Sequence, residues 1–281
     1  MRLHVIQTGS VRLKTAWPEG KGHGLARNLH ALLDPAWTDP LPIYAWVIEH
    51  PEGVIVIDTG ETAQVSQPGY FPAWPPTFRL AVRETVTEAQ EIGPQLRLLG
   101  IAPDDVRWVV LTHLHTDHAG GLHHFPRTHM MVTRVEYQQA TGRSGKSRGY
   151  LPQHWPSWFA PTLIDFADQP IGPFPTSYPL TQAGDVILVP TPGHSVGHLS
   201  LFLREDNRTI AFAGDLSYTQ DLMLRQKIDG VSLDERAAHQ SLQRMLTYVQ
   251  STPTVYLPSH DPAATQRLTE REICPKSPTK E

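Results

Sequence analysis

Residues 106–121 read VRWVVLTHLHTDHAGG: an apolar run, then three histidines and an aspartate within six positions. The Val and Trp content of 106–112 predicts a buried strand. In extended backbone alternate side chains share a side, so His113 and His115 project together, and Asp117 and His118 follow at the turn into a helix. Two imidazoles and an Asp/His pair can then converge, a donor set and spacing suited to two metal ions. The competing reading is a histidine-rich surface turn, but such density directly after a buried strand is uncommon. Strand ends are also where α/β folds place their chemistry.

Three later segments repeat the pattern of a His or Asp just after an apolar strand: TPGHSVGH at 191–198, AFAGDLSY at 211–218 and YLPSHD at 256–261. Their candidates are His194, Asp215 and His260. Each alone reads equally well as a turn residue or a helix cap. Together, in this order, they supply what a closed dinuclear site built on residues 113–118 would still lack.

The surrounding chain alternates short strands with helices. LHVIQTG, PIYAWVIEH and GVIVIDTG read as strands, the last two joined by a turn at Pro51–Gly53. Pro94, Leu96, Leu99 and Gly100 mark a short helix with its start, its apolar face and its stop. HMMVT, DVILVP, LSLFL, TIAFAG and TVYLPSH follow as strands, with a turn at Glu205-Asp206-Asn207. From Asp234 to Gln250, Leu242, Met245, Leu246 and Val249 keep helical spacing behind an Asp cap, which makes this the longest helix expected. Residues 61–85, with Pro68, Gly69, Pro72, Pro75 and Pro76 among Tyr70, Phe71, Trp74 and Phe78, are long for a connection and read as a functional loop or interface. Two mostly β halves with covering helices imply layered sheets with helices outside.

The 281 residues, 40% hydrophobic, can bury one large core, and a single domain over 1–281 is expected. The net charge of −4, without a basic block or an aromatic-basic stripe, argues against nucleic acid as partner. A small neutral or mildly charged substrate fits better. The single cysteine, Cys274, sits in a polar tail and cannot form an internal disulfide. No signal peptide or run of about 18 apolar residues is seen, so no membrane association is expected and the cytoplasm is the default location.

HLHTDHAGG at 113–121, His194 in TPGH, Asp215 in AGD and His260 in PSH resemble the metal motifs of the metallo-β-lactamase superfamily. The likeness runs over most of the chain, from IVIDTG at 55–60 to His260. It implies an α/β fold, a four-layer αββα sandwich with the metal site at one edge between the sheets. It also implies that His113, His115 and His194 hold one metal, that Asp117, His118 and His260 hold the other, and that Asp215 bridges them. Asp58 would support the site from behind, although it reads equally well as a strand-end turn residue. Nitrogen and oxygen donors without thiolate suit Zn²⁺ and also admit Mn, Fe or Co. Two dications sharing a water lower its pKa from about 15.7 toward about 7, which supplies hydroxide at neutral pH and leads to hydrolysis. No Ser-His-Asp triad or Gly-x-Ser-x-Gly elbow competes for the chemistry.

Within that superfamily, Tyr218, three residues after Asp215, and TPGHSVGHLSLF resemble the corresponding segments of the quorum-quenching N-acyl-homoserine lactonases. The resemblance implies a small-molecule lactone substrate, a phenol at Tyr218 that hydrogen-bonds the lactone, and Asp117 as ligand and proton shuttle to the leaving alkoxide. From spacing alone, Tyr218 reads equally well as core packing. The 61–85 segment and the stretch between His118 and His194 depart from the shortest lactonases. Phe71, Trp74, Trp155, Trp158 and Phe159 there suit either an acyl tail or homodimer packing. A glyoxalase II-like thioesterase would use the same seven ligands, but no basic C-terminal segment suited to a glutathione carboxylate is seen and Tyr218 would have no role. A phosphodiesterase relative should carry a basic phosphate-binding surface, and a metal-stabilised binding module would bind metal without turnover.

Overall fold

The first strand runs further than LHVIQTG suggests. In the computed structural model, which describes residues 1–74 and 76–277, β1 (Arg2–Leu13) pairs antiparallel with β2 (Leu41–His50) through a register shift between Gln7 and Gly9. Pro75, singled out above, lies outside the described residues. β2 returns antiparallel as β3 (Gly53–Ile57), His50 facing Gly53 across the expected turn. β4 (Val82–Thr85) adds to the outer side of β1. From β3 the sheet continues in parallel through β5 (Val106–Val110), β6 (His129–Thr133) and β7 (Thr162–Ile164), giving the order β4-β1-β2-β3-β5-β6-β7.

This sheet belongs to one compact unit, Met1–Leu13 with Trp37–Ile164; Lys14–Ala36 and Asp165–Glu281 form the second. The second unit's sheet has the order β12-β11-β10-β9-β8, with β8 (Tyr178–Pro179), β9 (Val186–Pro190), β10 (Leu199–Glu205), β11 (Arg208–Gly214) and β12 (Thr254–Pro258). Only β11 and β12 run parallel there.

Each unit buries its own apolar cluster. In the first, Val56, Val109 and Val132 of the sheet meet Ile92 and Leu96 of the helix Ile92–Leu98. Leu99, expected on the same face as Leu96, is the C-cap and 39% exposed. In the second, Phe202 and Tyr256 of the sheet meet Leu242, Met245 and Val249 of the helix Glu235–Ser251. Asp234 caps that helix, accepting from the Ala237 amide at 2.9 Å. Asp234→Ala should lower stability by about 1 kcal/mol, read from chemical denaturation, because the first turn loses that acceptor.

Two expectations need correction. The 61–85 segment is not one long loop: it holds a 3-10 turn at Ala63–Ser66, a helix at Thr77–Ala81 and β4. VRET reads as polar because β4 ends the sheet, with Val82 buried and Arg83 and Thr85 exposed. Cys274 is not a tail residue in physical terms, since its amide donates to Thr254 O at 2.7 Å and its side chain is buried in the second unit's cluster. That burial pushes the thiol up to about 12, so it stays protonated and unreactive.

Candidate metal centre

Parallel pairing of β3 with β5 sets Ile57 beside Val110, so Asp58 and the 112–118 segment leave the sheet at the same end. Asp58 adopts a left-handed conformation, φ 60°, unusual for a residue with a side chain. Its contacts account for the cost. The carboxylate accepts from the Thr112 amide at 2.7 Å, from Thr112 Oγ1 at 2.8 Å and from His118 Nδ1 at 2.8 Å. Gly60 follows with φ 66°, where a Cβ would also collide with the Thr8 side chain.

These bonds fix which ring nitrogen carries the proton. His118 Nδ1 donates to Asp58, which leaves its Nε2 lone pair for a ligand. Thr112 Oγ1 gives its proton to Asp58 and so accepts from His113 Nδ1 at 3.1 Å, leaving His113 Nε2 as the lone-pair atom. His115 Nε2 lies 3.0 Å from the Arg148 carbonyl, which can only accept, so its lone pair is on Nδ1. His113 Nε2 and His115 Nδ1 face each other at 3.0 Å. Two lone pairs at that distance repel unless a proton or a metal ion lies between them, and zinc–nitrogen bonds of about 2.0–2.1 Å put neighbouring ligand atoms roughly 3.3 Å apart. Asp117 Oδ1 is 3.8 Å from His118 Nε2. The Leu114 amide is held by the buried Glu136 carboxylate at 3.1 Å, which pins the loop between His113 and His115.

Beside this loop lies Glu61. Burial pushes its carboxyl up to about 7, opposed by the Thr62 amide. Tyr70 donates to it at 3.1 Å. A Cβ at Gly120 would collide with the Glu61 carboxyl and the Thr62 amide, which is why the motif ends in glycine. Thr62, Tyr70, Thr116, Leu151, Trp155 and Pro156 help line a cleft of about 210 Å³. Of the other aromatic candidates, Phe159 is buried in the core, Phe71 stacks on Phe78 at 4.4 Å, and Trp74 and Trp158 are exposed.

The second unit assembles His194, Asp215 and His260. Asp215 leaves β11 with its amide donating to His198 Nε2 at 2.9 Å, and His198 Nδ1 in turn donates to Thr191 Oγ1 at 2.9 Å. The two oxygens of Asp215 are divided: Oδ2 lies 3.5 Å from His194 Nε2 and Oδ1 lies 3.3 Å from His260 Nε2. His194 Nδ1 donates to Asp229 Oδ2 at 3.0 Å, so here too Nε2 carries the lone pair. Burial works against ionisation of Asp229, but His194, Ser232 and the Val231 amide hold its carboxyl below the ordinary range. The buried Arg27 fastens the 229–232 loop by donating to Ser232 O at 2.7 Å.

Tyr218 is buried, its ring stacked on His260 with centroids 5.2 Å apart. The Trp17 indole N–H donates to its hydroxyl oxygen at 2.9 Å. Sequence reasoning found neither Trp17 nor Asp229, because each lies far from the motif it supports and neither stands in a recognisable spacing.

A family model described as the metallo-beta-lactamase superfamily matches residues 38–260. An N-acyl homoserine lactonase of Bacillus thuringiensis is 28% identical over 243 residues, covering 83% of this chain and 87% of its own length. The N-acyl homoserine lactonase AttM of Rhizobium radiobacter is 28% identical over 282 residues, covering 94% of each. A solved N-acyl homoserine lactone hydrolase, with the product N-hexanoyl-L-homoserine bound at its catalytic metal center, superimposes with TM-score 0.76 at 25% identity, covering 96% of this chain and 98% of the other.

Proposed function

Because the chain belongs to the metallo-β-lactamase superfamily, we propose that it is a dinuclear metal-dependent hydrolase that opens the lactone ring of N-acyl-homoserine lactones, its two units acting together as one domain. The observation that carries the reading is the divided carboxylate of Asp215, one oxygen toward His194 and the other toward His260. A carboxylate so placed would suit two ions better than one. In this reading His113, His115 and His194 hold the first ion, and Asp117, His118 and His260 hold the second. Zn²⁺ is the ion best suited to these donors, with Mn, Fe or Co compatible. When bound, the pair supplies Lewis acidity and acidifies water at neutral pH.

The donors fit such ions: each of His113, His118 and His194 has its Nδ1 proton fixed by an oxygen, which selects the ligating tautomer. Asp117, half-buried on the loop, carries the proton to the leaving alkoxide. Tyr218 donates to the lactone oxygen as negative charge grows there. The Trp17 N–H already occupies an acceptor site on the phenol oxygen, so the phenol proton is directed elsewhere and its donation is strengthened. The cleft beside Thr116 takes the acyl tail against Tyr70, Leu151 and Trp155. The homodimer reading attaches to the exposed Trp74 and Trp158. Among the described residues no helix is long and apolar enough to cross a membrane, and the cytoplasm is the proposed location.

Tyr218→Phe tests the role of the phenol. Losing one oxyanion donor costs about 2.7–4 kcal/mol in other enzymes, but an ion held by these residues would share that charge, so kcat on an acyl-homoserine lactone should fall on the order of tenfold. Metal content should not change. An unchanged kcat would remove Tyr218 from the reaction.

A further inference from the structure

Just beyond the HxHxDH loop, and outside the seven ligands, Glu91, His123 and His124 converge. His123 Nε2 lies 3.1 Å and His124 Nε2 lies 2.7 Å from the same oxygen, Glu91 Oε2. One ligand atom from each residue falls within 4.8 Å of the others. The other oxygen, Oε1, is tied down by the Ala63 amide at 2.8 Å and Thr62 Oγ1 at 3.0 Å, so the carboxylate is held with Oε2 turned toward the two imidazoles.

The surroundings of these groups leave an anionic carboxylate between two imidazoles. His123 Nδ1 lies 3.3 Å from the Gly120 carbonyl, which can only accept, so the Nδ1 atom carries hydrogen. Burial opposes ionisation of Glu91, but the Ala63 amide, His124 and Thr62 hold its carboxyl below the ordinary range, so it is an anion at neutral pH. Burial, and then His123, hold His124 below its ordinary value, so it contributes no positive charge. A divalent ion would sit against the Glu91 oxygen that both imidazoles face. Separations of 2.7 and 3.1 Å are hydrogen-bond distances, and ligand atoms around an ion bound at about 2.0–2.1 Å lie roughly 3.3 Å apart, so these atoms would part by a few tenths of an ångström to admit one. His123, with 43% of its side chain exposed, leaves a path for entry and room for water to complete the coordination.

We infer that Glu91, His123 and His124 form a further divalent-cation site, a two-histidine, one-carboxylate site for Zn²⁺ or a similar borderline ion, separate from the proposed dinuclear centre. Its ligands come from the segment after the HxHxDH loop and from the residue that caps the helix Ile92–Leu98. The same carboxylate carries the 62–63 turn. An ion there staples three segments that pack around the loop of His113–His118.

The test counts ions. Protein stripped with chelator is dialysed against stepwise free Zn²⁺, and bound zinc is measured per chain. Wild type should take up one more ion than His123→Ala, with weaker affinity than the first two. His123→Ala removes an exposed ligand and leaves the Glu91 bonds to Thr62 and Ala63 in place, so it should fold; Glu91→Gln should lose the same ion. Asp215→Ala, damaged in the dinuclear centre, should still bind an ion that is lost when His123→Ala is added. This difference survives even if the dinuclear reading fails. Identical isotherms for wild type and His123→Ala would overturn the site, and His123 would then be an imidazolium paired with Glu91.

Discussion

Asp215→Ala protein, purified without chelator, should carry fewer than one ion at the dinuclear centre and lose lactone turnover on the order of a thousandfold or more. The expectation follows from the position of one side chain. Asp215 is held by its amide to His198 and places one oxygen near His194 and the other near His260. On the proposed reading, removing it would deprive both ions of a ligand and of the negative charge that lets two dications sit together. Loss of metal assistance removes several kcal/mol of transition-state stabilisation, about 4 kcal/mol corresponding to a thousandfold. Elemental analysis with kinetics on the same preparation checks it. Two ions retained with wild-type turnover would show that Asp215 does not bridge.

The next largest effect belongs to a residue that touches no ion in this account. Asp229 Oδ1 accepts from the Val231 and Ser232 amides, while Oδ2 faces His194 Nδ1. In Asp229→Asn the two amides keep the side-chain oxygen on their side, which turns the NH2 toward His194. His194 must then accept at Nδ1 and carry its proton on Nε2, the atom needed for the metal. Loss of such a supporting partner typically costs about 10–100-fold in metal affinity or activity, and the tautomer change places this variant toward the upper end. Competition with a chromophoric chelator reads the affinity. Unchanged affinity would mean that Asp229 does not set the tautomer of His194.

The parts of the structure that were legible in the sequence share one property: their side chains and spacing both carry the signal. VRWVV forms β5 because a β-branched run without breakers has few alternatives, and the helix Glu235–Ser251 begins where Asp234 predicts a cap. His113, His115, Asp117 and His118 come together because strand and turn geometry over six residues is local. The illegible parts depend on distant partners. The helix Gly24–Leu33 exposes Leu25, Leu29 and Leu33 while burying Arg27, so its apolar spacing points away from the protein interior. Arg27 is buried because it binds carbonyls of the 229–232 loop, some two hundred residues away in sequence. Asp229 and Trp17 were missed for the same reason, and β4 because an edge strand needs no apolar pattern. His123 and His124 were visible as residues, but nothing local says that Glu91 faces them.

The central claim is that this site opens lactones, and a side-by-side hydrolysis measurement tests it most directly. Zinc-loaded wild-type protein is assayed at neutral pH on N-acyl-homoserine lactones, an S-acyl-glutathione and a β-lactam, with Tyr218→Phe run in parallel. The account predicts the highest kcat/KM on the lactones and a drop on the order of tenfold there for Tyr218→Phe. Faster cleavage of S-acyl-glutathione than of any lactone, with Tyr218→Phe unchanged on both, would contradict it and make the protein a thioesterase.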